Sequence, residues 1–90
     1  MSADFNIAET ETFQTKLGTE KFRSLGPKTK NFVYPQLRKT PFFGPNIKKL
    51  KGNLDGLYRY RTGSNRLIYK IDIQKRLVIM MAVEDRKNAY

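Results

Sequence analysis

Three arginines, Arg59, Arg61 and Arg66, lie in the stretch GLYRYRTGSNRLIYKI between Gly56 and Ile71. Arg59 and Arg61 are two apart, the spacing that puts strand side chains on one face. Gly63-Ser64 reads as a two-residue hairpin turn, with glycine at the first central position as type II′ requires. On that register Thr62 faces Asn65, Arg61 faces Arg66 and Arg59 faces Ile68. The three guanidiniums then share one face, while Tyr58, Tyr60, Leu67, Tyr69 and Ile71 share the other. Like charges directly across a ladder cost stability. A phosphate site gains from that arrangement, because converging guanidiniums offer forked donors and charge together. A solvated basic face with splayed side chains is the plainer alternative.

Other residues could feed the same surface. NIKKLKG places Lys48, Lys49 and Lys51 just before the hairpin, where a solvated loop is the bland reading. Arg86 and Lys87 follow the last strand, and Tyr90 lies four residues past Arg86 as a phenol or stacking ring. Glu84 and Asp85 are the nearest carboxylates, fit either for proton transfer or for pairing with neighbouring cations. The chain has no cysteine and no histidine. That removes disulfides, thiolate nucleophiles and the commonest metal ligands and acid–base residues, so neither a metal nor a cofactor is expected.

Bulk charge points the same way. The net charge is +10, from 18 Lys and Arg against 8 Asp and Glu. Residues 1–45 carry seven cations and four anions, residues 46–90 eleven and four. A basic balance concentrated around the hairpin suits an anionic partner, most often nucleic acid; an even spread would serve solubility equally well. The longest apolar run, Leu77 to Val83, is far short of the roughly 20 residues that span a bilayer. The first residues, MSADFNIAET, lack the pattern of a signal peptide. A cytoplasmic protein without membrane contact is expected.

The elements that must position these residues fit a single domain over residues 1–90. Residues 4–8 could form a first strand. Thr10, with Glu9 and Glu11 beside it, looks like a helix start. Phe13, Leu17, Phe22 and Leu25 then outline a helix over 10–25 that Gly26-Pro27 ends. Residues 28–39 read as a second helix with Phe32, Val33 and Leu37 inward, kinked or shortened by Pro35. Residues 40–55 read as a loop anchored by Phe42, Phe43, Ile47 and Leu50. Strands follow at 57–62, 65–72 and 76–83, the last apolar on both faces like a strand covered on both sides, and 84–90 leave the sheet. The expected class is α+β, with two N-terminal helices on one face of a small, mainly antiparallel sheet.

The order of elements, the segment KLKGNLDGLYRYRTGSNRLIYKID and the ending EDRKNAY resemble the RelE/ParE superfamily of bacterial toxins, its RelE branch most. The resemblance covers nearly the whole chain and is most specific from Ile47 to Tyr90. It implies an architecture similar to small microbial ribonucleases. It implies a type II toxin that cuts mRNA in the ribosomal A site and is neutralised by a cognate antitoxin. The family's basic strand positions fall on Arg59 and Arg61, its arginine after the turn on Arg66, its arginine after the last strand on Arg86 and its terminal tyrosine on Tyr90.

Cleavage by attack of a 2′-hydroxyl needs a base, cations around the phosphorus oxygens and an acid for the leaving oxygen. Arginine stays protonated and suits only the second task. RelE-type relatives often carry lysine, and other branches histidine or an acid, where this chain has arginine. By residue type the base is therefore Glu84, Asp85 or neither. Two other readings stand beside this one: a ParE-like toxin that poisons a topoisomerase by protein contact, and a basic RNA-binding module without activity.

Overall fold

Thr10 starts the first helix. Its hydroxyl accepts from the Phe13 N–H at 3.1 Å, an N-cap that satisfies one of the orphan donors of the first turn. The computed structural model of the chain describes residues 4–52 and 56–85. Within them, β1 (Asn6–Glu9) precedes α1 (Glu11–Leu17) and a short 3₁₀ turn (Glu20–Phe22). Next come α2 (Leu25–Lys28), a π-helical turn (Thr29–Val33) and α3 (Tyr34–Lys39), which run on as one helix over 25–39. The sheet continues with β2 (Ile47–Lys49), β3 (Leu57–Thr62), β4 (Asn65–Asp72) and β5 (Leu77–Asp85).

The five strands lie in the order β1-β5-β4-β3-β2. Among the described residues only the β1–β5 pair is parallel: the helical segment carries the chain from β1 to the far edge at β2, and the antiparallel strands lead back to β5. The helical layer packs on one face of the sheet. Phe13, Leu17, Phe22, Leu25, Val33, Tyr34 and Leu37 from that layer meet Tyr60, Leu67, Tyr69, Val78, Met80 and Val83 from the strands. Polar ends of the core tyrosines reach partners rather than being left dry. Tyr69 Oη donates to the Pro41 carbonyl at 2.7 Å, and Tyr60 Oη to Gln36 Oε1 at 2.7 Å.

The helical half departs from the sequence expectation. The helix expected over 10–25 stops at Leu17, because Gly18 and Thr19 turn the chain: the Thr19 hydroxyl donates to the Lys16 carbonyl at 2.7 Å. Phe22 and Leu25 are buried all the same, from the 3₁₀ turn and from α2. Gly26-Pro27 opens the next helix instead of ending the first, since a first turn has no use for the missing proline donor. Pro35 likewise falls in the first turn of α3, after the wide π turn, and the helix runs through it. Phe32, expected inward, is 69% exposed, because the π turn shifts which side chains face the sheet.

The strand half follows expectation more closely, with these differences. β1 runs over Asn6–Glu9, slightly later than 4–8. A short edge strand, β2, forms inside the expected loop. There Ile47 packs against the core as an anchor, but Phe43 is 70% exposed. Glu84 and Asp85 belong to β5 rather than lying beyond it. Finally, β5 is central as expected, yet the helices cover one face only among the described residues. Ile79 and Ala82 on the other face are half-buried.

Candidate nucleic-acid interface

The β3–β4 register is the one the turn implies: Thr62 opposite Asn65, Arg61 opposite Arg66, Arg59 opposite Ile68. Gly63 has φ +60°, and Ser64 has no positive φ, as a type II′ turn requires. Tyr58, Tyr60, Leu67 and Tyr69 face the helices, so Arg59, Arg61 and Arg66 share the opposite, open face.

β2 extends that face. Lys48 pairs with Arg59 and stands beside it, whereas Lys49 pairs with Tyr58 and points to the helical side. The lysine run is thus divided by strand alternation, and Lys51 lies exposed past the strand end. Arg59 is held in place by a residue that composition does not flag. Its guanidinium donates to the Asn46 carbonyl at 3.1 Å, and the same carbonyl accepts from the Arg61 N–H at 2.9 Å. The Asn46 amide in turn donates to Tyr60 Oη at 3.5 Å, which ties this corner to Gln36 on α3. A backbone acceptor carries no residue-type signal, so only the β2 pairing shows it.

Arg66 is largely enclosed, its side chain 13% exposed. It donates to Glu84 Oε1 at 2.7 Å across the β4–β5 ladder, where the two residues are direct partners. A transverse row results, Arg61–Arg66–Glu84, over three strands. Asp85 points the other way and pairs with Lys21 at 3.4 Å on the helical side.

A β-bulge decides between the two acids. The β4–β5 register shifts between Ile68 and Tyr69, so Met80 pairs with Tyr69 and Ala82 with Ile68. Met81 is the extra residue, and it reverses the alternation of β5. Val78 and Met80 face the core before it, Val83 after it. Without the bulge, Asp85 rather than Glu84 would stand among the arginines. Arg86, Lys87 and Tyr90 lie outside the described residues.

The surface is an open sheet face rather than a cavity. A cleft of about 500 Å³ lies elsewhere, at the β1 edge, lined by Glu9, Gln14, Leu17, Gly26 and Lys30 among others. Close by, Tyr34 Oη donates to Glu9 at 2.5 Å. Burial first, then that hydrogen bond and the carboxylate charge, hold the Tyr34 phenol well above its ordinary pKa. Burial raises the Tyr69 phenol too, with the neighbouring Tyr58 and Tyr60 adding to it.

The arrangement of strands and helical layer matches solved structures over nearly its full length. A chain of the toxin–antitoxin complex RelBE2 from Mycobacterium tuberculosis is 25% identical, with a TM-score of 0.80 over 98% of each chain. The chain shares the fold of the RelE/ParE toxins. The YoeB/ParE toxin from Agrobacterium tumefaciens matches at 17% identity and TM-score 0.71, over 90% of this chain and 98% of that one. The archaeal RelE–RelB complex from Pyrococcus horikoshii matches at 20% identity and TM-score 0.61, over 96% and 99%. No protein-family model and no curated protein matches the sequence. Structural neighbours of this RelE-like fold are thus toxins of toxin–antitoxin systems. Among the described residues, no helix is long and apolar enough to cross a membrane.

Proposed function

We propose that this protein is a type II toxin that cleaves mRNA on the ribosome and is held inactive by a cognate antitoxin. One observation carries the reading: Lys48, Arg59, Arg61 and Arg66 stand on the open face of a RelE-like sheet. Arg61 and Arg66 would clamp the scissile phosphate, where forked donors stabilise charge growing on its oxygens. Arg59, Lys48 and the flanking Lys51 and Lys87 would hold the neighbouring backbone, with Lys49 adding only to the general field. Arg86 and Tyr90 enter from the family resemblance, Arg86 as a further phosphate ligand and Tyr90 as a group that orients or stacks on the RNA. The ribosome would supply part of the rate by holding mRNA in a reactive geometry. Such a protein acts in the cytoplasm.

In-vitro translation followed by primer extension tests the proposal. Wild-type protein should create new mRNA ends only when ribosomes are present. Arg66→Ala and Arg86→Ala should lose cleavage by roughly 10²-fold or more while staying folded. No new ends at concentrations that arrest growth would exclude an endonuclease. Arrest with intact translation and an induced DNA-damage response would point to topoisomerase poisoning instead. No arrest at all would leave a basic module without activity.

A further inference from the structure

We propose that Glu84 is the proton acceptor of this site, an assignment that rests on the endonuclease reading above. Four observations support it. Glu84 stands on the arginine face, opposite Arg66. Its Oε1 is 2.7 Å from the Arg66 guanidinium, so a phosphate bound over the arginine row would lie beside the carboxylate. Its side chain is 39% exposed, so it remains open to a substrate despite the ion pair. The other candidate, Asp85, is on the helical side with Lys21.

Chemistry narrows the choice further. The chain has no histidine and no cysteine, and arginine cannot take a proton near neutral pH. Asp72 is on the same sheet face as Glu84, but at the far end of β4, opposite Leu77. Among the described residues, Glu84 is thus the carboxylate in the arginine row itself.

The Glu84 carboxylate takes the proton of a ribose 2′-hydroxyl. The freed oxygen forms a bond to the adjacent phosphorus, and the bond from phosphorus to the 5′-oxygen breaks. The departing oxygen takes a proton from water, and Glu84 returns its own to solvent. The products are a 2′,3′-cyclic phosphate and a 5′-hydroxyl end. Arg66 has two tasks in this scheme: it orients the carboxylate and it shares the phosphate charge.

Glu84→Gln separates the roles, because a glutamine Oε1 still accepts from Arg66 but cannot take the proton. Single-turnover cleavage on programmed ribosomes should fall by about 10²-fold or more, the usual scale of general-base catalysis. Binding to a short single-stranded RNA should stay within about threefold or tighten, since one repelling charge is gone. Glu84→Asp, which keeps a carboxylate set back by one methylene, should cleave faster than Glu84→Gln. Circular dichroism and melting temperature near wild type would exclude a folding effect. Glu84→Gln cleaving within about fivefold of wild type would overturn the assignment, as would a loss matched by weaker RNA binding. Wild-type protein that cuts nothing would overturn the endonuclease reading and the assignment together; cleavage by both proteins would overturn only the assignment.

Discussion

Arg61 and Arg66 stand directly opposite one another across the β3–β4 ladder, two residues out from a Gly63-Ser64 turn. A folded hairpin has no use for that pairing. Glu84 offsets it through Arg66.

Arg61→Thr should therefore stabilise the protein. It replaces an exposed like-charge partner with a good strand former and should add up to about 1 kcal/mol in denaturant unfolding. The gain should shrink at 0.5 M salt, where exposed charges are screened. RNA affinity should fall in the same variant.

Gly63→Ala tests the turn. A Cβ at Gly63 meets nothing within 4 Å, so any penalty comes from the backbone at φ +60° and not from crowding. A loss of roughly 1–3 kcal/mol is expected. Gly26→Ala is the control: its Cβ also meets nothing and its φ is not positive, so stability should hold or rise.

Tyr60→Phe removes the hydroxyl that joins Gln36 on α3 to Asn46 beside Arg59. Thermal or urea unfolding should show a cost of about 1–2 kcal/mol, the usual range for losing such a bond in a part-buried place. RNA affinity should also drop modestly, because the Asn46 carbonyl positions the Arg59 guanidinium.

Stability should fall at alkaline pH. Tyr34 and Tyr69 have phenols held above their ordinary value of about 10 in the folded chain. Above that value the unfolded chain binds fewer protons than the native one, so rising pH favours unfolding. Stability should be fully present below about pH 10. Above it, each phenol should remove up to about 1.4 kcal/mol per pH unit. Tyr34→Phe should flatten the slope in an unfolding series from pH 9 to 11.5. An unchanged slope would exclude Tyr34 as a source.

Much of the strand half was legible because its signals are local. Gly63-Ser64 sets the register of two strands, and alternation then assigns every side chain of Leu57 to Asp72 to a face. The helical half was less legible because its punctuation is ambiguous. Gly26-Pro27 can end one helix or open another, and packing of Leu25 and Val33 chose the second. Phe32 reads as core by type and spacing, yet a π turn leaves it exposed.

The acids mark the boundary most clearly. By itself the sequence determined that Arg59, Arg61 and Arg66 share a face, because a two-residue turn and a period of two leave one arrangement. It also determined that the base, if carried by an acid next to the last strand, is Glu84 or Asp85. Only the tertiary structure decided which of them stands with the arginines. The bulge at Met81 exists because β5 must match the β4 ladder on both sides of Ile68 while keeping Val78, Met80 and Val83 in the core. That fit is set by packing between distant segments, and it turns Glu84 toward the arginines and Asp85 toward Lys21.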